Sequence, residues 1–99
     1  MSEHKEYYPG DTVSRYYYFK DKTGVFIDPT TTTCELYNPS GIKITPDPTL
    51  SKVELGKYEF NYTLASDAPV GIWHIVITGT KDTYTNKEKF AFEVVAVLL

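Results

Sequence analysis

Residues 57–64 read KYEFNYTL. Tyr58, Phe60, Tyr62 and Leu64 fall on one side of an extended chain, and Lys57, Glu59, Asn61 and Thr63 fall on the other. A period of two, apolar against polar, is what a β-strand needs when one face packs on a core and the other meets water. A helix repeats every 3.6 residues and would scatter those side chains around its axis. Toward the N-terminus, Gly56 marks a turn and Leu50 to Leu55 reads as a short edge strand. Before it lie Pro46 and Pro48, which cannot donate ladder hydrogen bonds and so blunt an edge. Toward the C-terminus, Pro69-Val70-Gly71 is a break. Ile72 to Thr78 follows, with Trp73, Ile75 and Ile77 on one face and Ile72, His74 and Val76 on the other, the pattern of a central strand with both faces partly covered. Lys87 to Val97 is the last strand, with Phe90, Phe92 and Val94 inward.

The first half is read in the same way. Thr12 to Lys20 is a strand with Val13, Tyr17 and Phe19 inward and Ser14, Tyr16 and Tyr18 outward. Arg15 falls on the inward set, which calls for either a rim position with its head in water or a bulge. Thr31 to Tyr37 is a strand with Thr32, Cys34 and Leu36 inward, and Ile42 to Thr45 reads as a short edge strand. Turn signals at Pro9-Gly10, Asp21 to Gly24, Asp28-Pro29 and Asn38 to Gly41 separate these runs. The expected core is Val13, Tyr17, Phe19, Cys34, Leu36, Tyr58, Phe60, Tyr62, Leu64, Trp73, Ile75, Ile77, Phe90, Phe92 and Val94. The expectation is an all-β domain, an antiparallel β-sandwich of about seven strands.

Composition narrows the function. With 99 residues the chain fits one domain, 1–99, of which 1–6 are expected to be a mobile terminus. The net charge is −3 and the Lys and Arg residues are scattered, so the pattern speaks against a nucleic-acid partner. No run approaches the roughly 20 apolar residues of a membrane-spanning helix, so no membrane role is expected. The N-terminal residues lack the apolar core of a secretory signal, and Cys34 is the only cysteine. Both features lead us to expect synthesis and folding in the cytoplasm.

The order Tyr8-Pro9-Gly10-Asp11-Thr12-Val13, Asn38-Pro39-Ser40-Gly41, Gly56-Lys57-Tyr58 and Ala68-Pro69-Val70-Gly71-Ile72-Trp73 resembles bacterial immunoglobulin-like and macroglobulin-type β-sandwich domains over nearly the whole chain. Arg15 and Thr32 stand where an aliphatic residue is usual. The resemblance implies an immunoglobulin-like fold, no catalytic residues and no cofactor. Such domains occur as repeats in large secreted proteins and as small proteins among phage and prophage structural genes. The resemblance therefore implies a structural or interaction protein, with a virion component as the leading expectation. A carbohydrate-binding or adhesion module of an extracellular protein is the alternative.

No side-chain set competes with that expectation. Cys34 and His74 are the one nucleophile–base pair to test, and a cysteine in an apolar pattern reads as a small buried hydrophobe. Asp11, Asp21, Asp28 and Asp47 could serve calcium only if loops gathered them, and turn aspartates more often cap their own backbone. Glu54, Glu59 and Glu88 read as a solvated strand face, so neither a catalytic site nor a metal site is expected. The tyrosines are the candidate interface. Tyr16 and Tyr18 point outward on one strand, and Tyr7, Tyr8, Tyr37 and Tyr84 join them as candidates. The apolar tail Val95 to Leu99, with Val97, Leu98 and Leu99, is expected either to extend a strand on an edge or to dock on another protein subunit, including a second copy of this chain.

Overall fold

The computed structural model describes residues 5–97. Seven strands form two sheets. They are β1 (Lys5–Tyr7), β2 (Thr12–Tyr18), β3 (Thr31–Tyr37), β4 (Leu50–Glu54), β5 (Lys57–Thr63), β6 (Gly71–Lys81) and β7 (Tyr84–Val94). One sheet has the order β1-β7-β6-β3 and the other β2-β5-β4. All pairings are antiparallel except β1 with β7, which is parallel. No helix occurs among the described residues.

The two inner faces meet in one core. Val13, Tyr17, Phe19, Phe60 and Leu64 come from the three-stranded side, and Cys34, Leu36, Trp73, Ile75, Ile77, Phe92 and Val94 from the four-stranded side. Ala68 closes one end of it, a contribution the period-two reading could not see. Tyr58, Tyr62 and Phe90 were expected inside but are half-buried against this cluster. The Tyr58 hydroxyl reaches the surface and donates to Asp28 at 3.3 Å. Phe90 is capped by the Arg15 guanidinium, 4.1 Å from its ring centroid. Arg15 thus takes the rim position, and β2 runs against β5 without a register shift. Thr32 shares a face with Cys34 yet is exposed, because it lines an open groove of about 320 Å³ between β3 and the loop of Asp47 to Thr49.

Three other expectations need correction. Lys5 and Glu6, read as part of a mobile terminus, belong to β1 and pair with Phe92 and Glu93, while Tyr7 packs edge-on against Phe92 at 5.6 Å. Residues 1–4 lie outside the described residues. Ile42 to Thr45 is not a strand: only Lys43 bridges to Tyr37, because the Asn38 side chain accepts the N–H groups of Ser40 and Ile42 and bends this segment into a loop. Ion pairs from Lys43 to Glu35 (3.4 Å) and Asp47 (3.3 Å) hold the loop in place. The final hairpin is also longer than read, since β6 continues to Lys81 and β7 starts at Tyr84. Asp82, at φ 54°, supplies the left-handed residue that a two-residue turn needs, a conformation Asp tolerates better than most residues.

Candidate functional site

β2 lies at the edge of its sheet, paired on one side only, with β5. Tyr16 and Tyr18 project from its outer face and are 47% and 42% exposed. The turn from Lys20 to Phe26 folds back beside them. Asp21 shapes that turn: one carboxylate oxygen accepts the Thr23 hydroxyl (2.6 Å) and the backbone N–H groups of Thr23 and Val25. The Thr23 hydroxyl bond, then the bond from Val25, holds the Asp21 carboxyl below its ordinary pKa. A Lys20–Phe26 bridge places Phe26, 42% exposed, with its ring 6.0 Å from Tyr18.

Two cations lock this row. The Lys57 ammonium sits 4.3 Å from the Tyr16 centroid and 5.9 Å from that of Tyr18, and the Lys20 ammonium lies 4.8 Å from Phe26. Each such contact contributes about 0.5–1 kcal/mol at an exposed site. The result is a fixed outward strip, Tyr16–Lys57–Tyr18–Phe26–Lys20, none of whose aromatic rings belongs to the core. Leu55, 59% exposed, lies with Tyr18 and Phe26 around a small hollow of about 150 Å³. A larger groove of about 610 Å³ adjoins it between the β2 edge and β7, lined by Lys20, Lys22, Tyr84, Asn86 and Glu88 among others.

Below the strip, Asp28 ties three segments together. Its carboxylate accepts from the Lys52 ammonium (2.6 Å), the Gly56 N–H (2.9 Å) and the Tyr58 hydroxyl. The hydrogen bond from Lys52, then that from Gly56, holds its carboxyl below the usual range. Gly56 has φ 70°, and a Cβ there would sit 2.8 Å from the Phe19 carbonyl oxygen. Only glycine fits this turn, which sets Leu55 and Lys57 on either side of it.

The other sequence candidates do not converge. Cys34 faces the core, and burial first, then Asp47 and Glu35, push its thiol up to about 12, so it holds no thiolate near neutral pH. His74 lies on the opposite face of β6, in register with Tyr37 rather than with Cys34. Asp11 accepts the Tyr8 N–H, Asp47 pairs with Lys43, and among the described residues no three His, Cys, Asp or Glu side chains gather as metal ligands. Tyr7 and Tyr84 are half-buried against Phe92 and Phe19, Tyr37 is half-buried, and Tyr8 is exposed. Val97 is exposed and follows β7, in the other sheet from Tyr16 and Tyr18. Leu98 and Leu99 lie outside the described residues. Phe26, Leu55 and the two lysines were not singled out from sequence, although Val25-Phe26 directly after a Gly24 turn is an apolar pair with no strand to bury it.

No family model and no curated protein matches the chain. Among solved structures it is similar to a DUF4785 family protein from Legionella pneumophila, with a TM-score of 0.74 and 17% identity over 93% of this chain. The chain spans 26% of that protein. It is also similar to the Lin-41 filamin domain, with a TM-score of 0.64 and 14% identity, covering 96% of this chain and 87% of that one. Two sheets, seven strands and this likeness make the fold an immunoglobulin-like β-sandwich.

Proposed function

We propose that this chain is a non-enzymatic protein-interaction module whose binding face is the outer strip of β2. The observation that carries the reading is the row Tyr16, Tyr18 and Phe26, exposed and pinned by Lys57 and Lys20 without serving the core. Aromatic rings are enriched where proteins meet, because they bring large contact area at little loss of rotamer freedom. Rings already locked by cations lose still less on binding. The fold itself does not name the partner.

The groove of about 610 Å³ beside the strip favours a second reading, a carbohydrate-binding module, since Tyr18, Tyr84, Asn86 and Glu88 combine aromatic and hydrogen-bonding groups there. The narrower form of the first reading, a phage or prophage virion component, rests on the order of the turn motifs alone.

The test is a parallel screen of a random dodecapeptide display library and a glycan array, with binders mapped by amide chemical shifts. The module reading expects enriched peptides whose shifts centre on Tyr16, Tyr18, Phe26, Leu55 and Lys57. Glycans that shift the same residues hand the face to the second reading. Peptides that map elsewhere remove the strip as the binding face.

A further inference from the structure

We propose that the open edge of β2 takes an extended acidic segment of a partner protein as an added strand. The proposal rests on the module reading and names the chemistry of its partner. In an antiparallel pair, successive residues aim their backbone groups alternately at the neighbour and away from it. The Phe19 N–H donates to the Gly56 carbonyl at 2.7 Å, and the Leu64 N–H donates to the Asp11 carbonyl at 2.8 Å. With an unbroken register between them, Val13, Arg15 and Tyr17 aim at β5. Ser14, Tyr16 and Tyr18 therefore aim their N–H and C=O groups at the open edge, where they have no backbone partner among the described residues. The same residues that carry the exposed rings thus offer a ready ladder.

Charge selects the occupant. From Thr12 to Lys20 the chain carries Arg15 and Lys20 and no carboxylate, although the whole protein is net −3. Among the described residues neither cation has a carboxylate within 4 Å, and Lys57 reaches only Glu54, at 3.9 Å. Glu59, opposite Tyr16 on β5, accepts the Ser14 hydroxyl at 3.2 Å, so this carboxylate is already engaged. Opposite charges across a strand pair stabilise it and like charges oppose it. A second copy pairing β2 against β2 would add another Arg15 and Lys20 to the seam and no carboxylate, so self-addition gains no opposite-charge pair. Lys20 and Lys57 stand on the outward row with Tyr16 and Tyr18, whereas Glu88 lines the groove on the inner side. The fitting segment therefore alternates, with acidic residues outward beside the lysines and apolar residues inward.

The probe is a blocked heptapeptide alternating Val and Glu, compared with its Val–Lys counterpart and with the peptides enriched from the dodecapeptide library. Saturating Val–Glu peptide should shift Ser14, Tyr16 and Tyr18 and slow their amide exchange about tenfold, while the Val–Lys peptide does neither. Ser14→Pro removes one outward N–H and leaves the β5 backbone ladder intact, as edge strands allow. It also frees Glu59 from the Ser14 hydroxyl, so it is read against Ser14→Ala, which loses only that hydroxyl. Relative to Ser14→Ala it should weaken binding about fivefold or more. Equal binding of the Val–Lys peptide overturns the proposal, as does full affinity for Ser14→Pro or no slowing of the edge amides by any binder. Library peptides that map to the aromatic strip yet leave the edge amides unprotected would end strand addition and leave the module reading standing. A library with no binder on that face would end both.

Discussion

Trp73→Ala should cost the fold about 3–5 kcal/mol, the range for removing a large aromatic side chain from a packed core. Trp73 is almost fully buried, and its ring stacks on Phe92 at 5.8 Å with 21° between the planes. Phe92 in turn receives the edge of Tyr7, so the cavity opens where β1 is fastened to β7. The indole N–H donates to the Pro69 carbonyl at 3.0 Å and orients the loop that leads into β6. Trp73→Phe keeps most of the stacking and loses that bond, so it should cost clearly less than Trp73→Ala. Denaturant midpoints of the two variants against the parent provide the check. Equal losses would mean that the indole bond, rather than the stacked core, carries the contribution of Trp73.

Gly79→Val should destabilise by about 1–3 kcal/mol or more, although valine is the better strand former, because overpacking strains a filled core. Gly79 lies buried in β6. A Cβ at that position would stand 2.7 and 2.9 Å from two ring carbons of Phe19 and 2.9 Å from the Tyr17 hydroxyl. The missing side chain is the space into which the two sheets fit those rings. Combining Gly79→Val with Phe19→Leu should cost less than the sum of the separate losses, with a coupling of about 0.5–3 kcal/mol for residues in contact. Strict additivity in thermal or denaturant unfolding would show that the Phe19 ring is not what Gly79 accommodates.

These two residues show where sequence is informative and where it is not. The alternation around Trp73 and along 57–64 locates the inner faces directly, since each sheet has a dry side and a wet side. Gly79 carries no such signal. The alternation is read only to Thr78, whereas the structure runs the strand through Gly79 to Lys81, and Phe19 and Tyr17, far away in sequence, occupy the space that a side chain at 79 would take. β1 has only Lys5, Glu6 and Tyr7 and no readable pattern. Its existence depends on a parallel partner at the other end of the chain. The Ile42–Thr45 segment errs in the opposite direction, because a local Asn38 side-chain turn outcompetes strand pairing there.

The candidate face was half legible. Tyr16 and Tyr18 follow from the outward parity of β2. Phe26 and Leu55 reach them through the Asp21 turn and the Gly56 turn, contacts that only tertiary structure reveals. Lys57 was readable as a wet-face residue, but its placement over Tyr16 depends on the β2–β5 register.

Tyr16 and Tyr18 carry the outer strip and lie outside the core, so the double variant Tyr16→Ser/Tyr18→Ser, followed by thermal melting and by titration with peptides selected on the parent, separates binding from folding. The expected result is a still cooperative melt, lowered only by the roughly 1–2 kcal/mol of the two Lys57 contacts and far less than by a core truncation, together with loss of peptide binding. Full peptide affinity in a folded double variant would contradict it.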